Sequence, residues 1–195
     1  MTLYSYVIPV DDGAAPNPFW GACTLVICKP RIRAVAEKGD YVVATGSKRA
    51  PGGDLSGKVV YAMRVSRTMS MREYDAFAAR ELPEKIPDLR SPDWRRKVGD
   101  SIYDFSGPRV RTRPGRHTAS FRPLDLGGKN ALVSYEFSYF GSSPVELPRH
   151  LRLIVKTGNG HRGPSNAWFE DAFAEWFQDL PRGLVGEPQM FPFGR

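Results

Sequence analysis

The stretch Lys58-Val-Val-Tyr-Ala-Met-Arg-Val-Ser-Arg67, followed at once by Met69-Ser-Met-Arg-Glu73, decides the fold class. The first part is β-branched and aromatic and predicts a long strand. The second part is a capping box. Ser70 can accept from the backbone N–H of Glu73, the Glu73 carboxylate can reach back to the Ser70 amide, and Met69 and Tyr74 stand at the positions of a hydrophobic staple. A helix to about Arg80 follows. Upstream, strands are predicted over Leu3 to Val10, Cys23 to Cys28 and Asp40 to Thr45, with a short helix from Pro30 to about Glu37 before the third. Pro30 suits the first helical turn and Gly39 the position just past the end. The order β-β-α-β-β-α lacks the regular alternation of a doubly wound sheet and predicts an α+β fold.

Downstream the pattern loosens. Residues 81–98, with Pro83, Pro87 and Pro92, lose their periodicity and read as a long surface loop. Gly99 to Phe105 returns a strand, and 106–128 is a second long loop, of a length that is usually functional or disordered. Strands are expected over Asn130 to Tyr139 and Leu151 to Val155. Gly158 to Gly163 is a tight connection into a final helix capped by Ser165, with Phe169, Phe173, Trp176 and Leu180 on one stripe. Trp168, Phe173 and Trp176 are expected in the core. The whole reads as one domain over residues 1–195, built on a mixed or barrel-like sheet with a few short flanking helices.

Composition narrows the class. The 195 residues are 41% hydrophobic and 25% charged, ordinary for a globular protein and unlike a disordered chain. No run approaches a membrane span, and the start, Met1-Thr-Leu-Tyr, has neither the basic nor the apolar segment of a signal peptide. Two cysteines, Cys23 and Cys28, five apart in a predicted strand, would face opposite ways and could not bridge. A reduced, cytoplasmic setting is the expectation. The formal charge of +7 favours a polyanionic partner.

Several groups of residues could carry function. Phe19 and Trp20, Tyr103, and Tyr139 with Phe140 sit next to turn residues, where a ring can stack on a nucleic-acid base; the plainer reading has them plug the core. Thr45-Gly-Ser-Lys-Arg49 ends a strand, so Ser47 could hydrogen-bond a ligand and Lys48 and Arg49 could meet phosphate. Arg109-Val-Arg-Thr-Arg113 is followed by Arg116, His117 and Arg122, with no acid between Asp104 and Asp125. If extended, Arg109, Arg111 and Arg113 would project on one face about 7 Å apart, close to phosphate spacing. Enzyme readings rest on His161 and Arg162 ahead of the final helix. Cys23 or Cys28 paired with His161 is a further option, weakened because both cysteines read as inert core. Asp40, Asp100 and Asp104 show no metal-ligand spacing, so neither a metal nor a cofactor is expected.

Ordered motifs then carry a resemblance: Tyr4-Ser-Tyr-Val7, Asn17-Pro-Phe19, Cys23-Thr-Leu25, Cys28-Lys-Pro30, Gly39-Asp40 leading to Thr45-Gly-Ser47, Tyr61-Ala-Met63, Gly99-Asp-Ser-Ile-Tyr103, Phe137-Ser-Tyr-Phe-Gly141 and Gly160-His-Arg162. In this order they resemble the bacterial nucleotide modification associated domain, type 2, over roughly residues 3–177. The resemblance implies a place near bacterial or phage DNA-modification systems and brings no catalytic residues with it. A second, looser similarity runs to the PUA-like domains (the EVE, YTH and ASCH branches), through Gly39-Asp-Tyr-Val-Val43 and Pro144-Val-Glu-Leu147, and implies a pocket for a flipped base. The leading expectation is a nucleic-acid-binding domain, with DNA as partner, that recognises a modified or flipped base. Trp20, Tyr103 and Tyr139, with Phe19 and Phe140, would hold the base; Asn17 and Ser47 would read its edge; Lys48, Arg49, Arg109, Arg111 and Arg113 would meet phosphates. The alternative is an enzyme on a nucleotide or nucleic-acid base: a hydrolase, glycosylase or transferase. A third possibility is a protein-binding subunit of a modification system.

Overall fold

The computed structural model describes residues 1–194. In chain order, β1 (Leu3–Ile8), β2 (Cys23–Leu25), α1 (Pro30–Val35), β3 (Tyr41–Gly46), β4 (Lys58–Arg64) and β5 (Arg67–Ser70) lead into α2 (Met71–Glu81). Then come α3 (Trp94–Lys97), β6 (Tyr103–Asp104), β7 (Arg111–Thr112), α4 (Arg122–Leu126), β8 (Asn130–Ser134), β9 (Glu136–Tyr139), β10 (Val145–Glu146), β11 (His161–Arg162), α5 (Glu170–Gln178) and β12 (Gly183–Leu184). The fold is α+β with a mixed sheet, as the element order implied. The large sheet runs β11-β1-β3-β4-β9-β12 with β10 against β4, the small one β2-β8-β5, and β6-β7 is a separate ribbon; none closes on itself. Within the large sheet β1–β3 and β9–β12 are parallel and the other pairs antiparallel.

Alternation along the strands builds the layers. Tyr6, Ile8, Val42, Met63 and Tyr139 join Leu25 and Leu132 of the small sheet in a core between the two sheets. Leu3, Tyr41, Val43 and Ala62 point the other way and are covered by Phe173 and Phe177 of α5. The outer face of the small sheet, through Met69, Ala131 and Val133, lies under Tyr74 and Phe77 of α2. The capping box that opens α2 is formed, with Ser70 Oγ accepting from Glu73 N–H at 3.2 Å and Glu73 Oε2 accepting from Ser70 N–H at 2.7 Å.

Two expected long strands turn out to be two strands each, handed from one sheet to the other. Lys58 to Arg67 breaks after Arg64, and Asn130 to Tyr139 breaks at Tyr135. The two corners share one pin. Ser134 Oγ donates to the Arg64 carbonyl (2.6 Å) and accepts from Glu136 N–H (3.1 Å). Both corners keep the apolar–polar alternation of the strands that meet there (Met63-Arg-Val-Ser66 and Val133-Ser-Tyr-Glu-Phe137), so the sequence pattern does not mark them.

Other expectations are corrected. The strand from Cys23 stops at Leu25, and Cys28 lies beyond it in a left-handed turn. Of Gly99 to Phe105 only Tyr103 and Asp104 are strand. Leu151 to Val155 is a 3-10 turn, Arg149–Ile154, whose Leu151 and Ile154 are buried at three-residue spacing. Ser165 caps nothing; a 3-10 turn over Pro164–Phe169 precedes α5. Trp168 on that turn is 94% exposed rather than core. Segment 81–98 is not a plain surface loop, because it holds α3 and sends Lys85 into the interior.

Candidate active site

Past β2 the chain buries Val26 and Ile27 and then turns sharply. Cys28 (φ 60°) and Lys29 (φ 42°) are both left-handed before Pro30 opens α1. This region is costly for residues with a Cβ, and such strain persists where surrounding contacts over-determine it. Here they do. Cys28 N–H donates to Asp125 Oδ1 (2.8 Å), and the Cys28 carbonyl accepts from Arg33 Nε (2.7 Å). The fully buried Arg33 guanidinium also donates to the carbonyls of Asn130 (2.6 Å) and Asp125 (2.5 Å). Burial pulls Arg33 down to about 10. Gly128 makes room for it, since a Cβ there would stand 2.5 Å from the guanidinium carbon.

Asp125 has a second role. Its Oδ2 lies 2.6 Å from His117 Nδ1 and accepts from the Tyr103 hydroxyl at 2.7 Å. His117 Nε2 in turn lies 3.5 Å from Cys28 Sγ, and the imidazole stacks on Phe121 with ring centroids 4.3 Å apart. Burial pulls the His117 imidazole down, but its hydrogen bonds to Asp125 and Cys28 outweigh that and hold it at about 9. Burial likewise pushes the Asp125 carboxyl up, and hydrogen bonds from His117, Tyr103 and the Cys28 amide more than offset it, leaving it below the ordinary range. Thiol, imidazole and carboxylate thus stand in the order of nucleophile, base and orienting acid. The other cysteine cannot serve: Cys23 is fully buried and burial pushes its thiol up to about 12.

The thiol opens into a cavity of about 800 Å³ walled by Ile8, Val10, Ile27, Ile32 and Leu124. Lys29, Arg31, His161 and an Arg116–Asp12 ion pair supply its polar groups. Lys29 Nζ sits 4.3 Å above the Tyr6 ring, and burial lowers its pKa. His161 arrives on β11, opposite Tyr6 of β1; burial, then the charges of Arg31 and Lys29, hold its imidazole below the ordinary histidine value.

A family model described as nucleotide modification associated domain 2 matches residues 1–195. The chain belongs to this family. Its role is therefore linked to nucleotide modification. No curated protein and no solved structure matches it. In this member, no helix among the described residues is long and apolar enough to cross a membrane, and no group of three His, Cys, Asp or Glu among them could hold a metal ion.

The residues singled out from sequence do not converge on one site. Asn17 is fully buried; its Nδ2 donates to the Val98 carbonyl (3.0 Å) and its Oδ1 accepts from Lys85 (2.7 Å), so no edge is left for a base. Tyr103 is spent on Asp125. Tyr139 is fully buried with its hydroxyl 2.6 and 2.7 Å from the Asp11 oxygens, and Phe140 lies in the core beneath α5. Phe19 is buried edge-on between Trp20 and Trp94. Trp20 alone of these rings is half-buried, in a separate cleft of about 410 Å³ with Tyr135, Arg95 and Arg182. Ser47 accepts from Arg49 N–H in an exposed turn that carries Lys48 and Arg49.

The arginine run is not an open row. Arg111 pairs with Asp104 (2.7 Å) and Arg113 with Asp75 (2.7 Å), and Arg109 is exposed ahead of β7. Asp75 comes from a distant segment of the chain, whereas Asp104, at the edge of the run, faces Arg111 across the β6-β7 ribbon. His161 lines the cavity, whereas Arg162 turns to Asn166 Oδ1 (2.9 Å). The Cys–His partnership weighed for His161 falls instead to His117. The available signal was segment 106–128, expected as a loop of functional length; it instead holds β7, a 3-10 turn and α4, with His117 ahead of that turn and Asp125 on α4.

Proposed function

We propose that this family member is a thiol-dependent enzyme that acts on a nucleotide or nucleic-acid base, by transfer or hydrolysis at an electrophilic carbon. The observation that carries this reading is the hydrogen-bonded run Cys28–His117–Asp125 opening into the large cavity. Its volume lies in the range of small-molecule sites. His117, held at about 9, carries the proton at neutral pH as the partner of a Cys28 thiolate, and Cys28 Sγ attacks the carbon. The leaving group departs with that proton, and water or an acceptor, deprotonated by His117, releases the product and restores the thiol. Asp125 fixes the imidazole orientation and steadies the imidazolium. The strained backbone at Cys28 sets the residue on the cavity wall rather than in the core. Intact mass measured after incubation with deoxynucleotides and short oligonucleotides tests this. A covalent adduct or turnover is expected from the native chain and absent from Cys28→Ala; turnover undiminished in Cys28→Ala overturns the assignment.

A second reading, a module that binds nucleic acid and recognises a modified or flipped base, is favoured by Trp20 in its cleft with Tyr135, Arg95 and Arg182. It predicts salt-sensitive oligonucleotide binding that Trp20→Ala removes and Cys28→Ala leaves intact.

A further inference from the structure

Three groups able to carry positive charge meet in the cavity beside the thiol. Lys29 and Arg31 flank Pro30 at the start of α1, and β11 brings His161 to them from the far end of the chain. Their mutual influence registers on His161, whose charged form the other two disfavour. Several arginines in the chain's other basic clusters are paired: Arg95 with Asp93, Arg111 with Asp104, Arg113 with Asp75. Here no carboxylate lies within ion-pair distance of any of the three among the described residues. Asp12, the acid lining the same cavity, is taken by Arg116. Lys29 Nζ reaches only the Val7 carbonyl, at a long 3.4 Å, and the face of Tyr6, so most of its donor capacity is unspent. Like charges gathered on a partly desolvated wall repel one another until an anion joins them.

We infer that Lys29, Arg31 and His161 form an anion subsite that takes the phosphate of a nucleotide, holding the rest of that nucleotide against the apolar wall beside Cys28. This rests on the reading of the cavity as the site of nucleotide chemistry. The phosphate belongs either to a free nucleotide or to a nucleotide within a strand, and the chemistry of recognition is the same.

Calorimetry on the Cys28→Ala variant removes turnover from the measurement. Its probes are deoxynucleoside 5′-monophosphates, the matching nucleosides, inorganic phosphate and a short single-stranded oligonucleotide. Monophosphates are expected to bind at least about tenfold more tightly than nucleosides. Arg31→Ala and Lys29→Met, each checked for an unchanged melting curve, should weaken the monophosphate about tenfold and leave nucleosides unaffected. Tighter, equally charge-dependent binding of the oligonucleotide assigns the phosphate to a strand, and the reverse assigns it to a free nucleotide. In the native chain the bound monophosphate should shield Cys28 from iodoacetamide. Equal binding of nucleoside and monophosphate, indifference to both substitutions, or no nucleotide binding by folded protein overturns the subsite. Adduct formation at Cys28 is scored separately, so the subsite can fail while the thiol chemistry stands.

Discussion

Cys28 Sγ lies 3.5 Å from His117 Nε2, although the two residues are 89 positions apart in the sequence. Asp125 is what brings them together, because its two oxygens serve the two partners separately. Oδ1 receives the Cys28 amide and Oδ2 faces His117 Nδ1. One buried carboxylate therefore sets the backbone of the nucleophile and the orientation of the base at once. The Arg33 guanidinium, bonded to the carbonyls of both Cys28 and Asp125, locks the two segments to each other.

The His117–Asp125 pair makes stability depend on pH in a definite direction. The imidazole titrates at about 9 in the folded chain against about 6.5 when unfolded, so the folded state holds the proton more tightly. Its contribution is fully present below about pH 6.5 and is lost as the pH rises through about 9, amounting to at most about 3 kcal/mol. Asp11, which burial pushes up to about 7, tilts stability the same way at lower pH. The measurement is therefore the difference between the native chain and His117→Gln in denaturant titrations at about pH 6 and about pH 9.5. The native advantage should shrink at the higher pH; an advantage that is constant or grows sinks the assignment.

Gly128→Ala is expected to be costly although glycine and alanine differ by one methyl. The new Cβ would stand 2.5 Å from the Arg33 guanidinium carbon and 2.5 and 2.7 Å from its terminal nitrogens, with no room to retreat in the core. Overpacking of this kind costs about 2–3 kcal/mol. Because Arg33 also holds the Cys28 carbonyl, displacement should alter the rate at which iodoacetamide modifies Cys28. Thermal melting and peptide mass spectrometry read the two effects. An unchanged melting temperature would show that Arg33 is not seated as tightly as this geometry requires.

Much of the scaffold was legible because it is local. The capping box at Ser70, Pro30 at a helix start and the β-branched, aromatic run of β1 each act within a few residues; the first two formed where the sequence placed them, and β1 formed two residues shorter, ending at Ile8. What failed depends on contacts between distant segments. Of the rings assigned to base stacking, Phe19, Tyr103, Tyr139 and Phe140 fill cores and Trp20 does not, because a ring beside a glycine or proline looks the same whether it faces solvent or the next layer. The arginines of 109–113 looked unopposed because Asp75 is 38 residues from Arg113. Cys28 looked like core strand because nothing within Cys23-Thr-Leu-Val-Ile-Cys28 announces that the strand ends at Leu25. The left-handed turn that exposes the thiol is imposed by Asp125 and Arg33, and the spacing of the motif does not encode them.

Lys85 tests how far the interior tolerates an orphaned polar network. Its ammonium is fully buried, within reach of the Asn17 carbonyl (2.8 Å), Asn17 Oδ1 (2.7 Å), the Ala22 carbonyl (2.8 Å) and Thr24 Oγ1 (3.0 Å). Burial lowers it to about 8, and nearby Asp100, which accepts from Thr24 (2.5 Å) and Tyr74 (2.6 Å), opposes that fall. Such a lysine could be taken for a catalytic amine. Its donors, however, are fully engaged, and it does not line the cavity beside Cys28. Its work is to tie the Asn17 loop to β2. Lys85→Ala strands four acceptors and the Asp100 carboxylate in a dry core, a loss of about 3–5 kcal/mol. For a chain of this size that lowers the melting temperature by about 10 °C. Lys85→Met restores volume without restoring a donor, so it should recover only part of the loss. A variant that melts like the native chain but loses all activity would reverse the assignment and make Lys85 part of the chemistry.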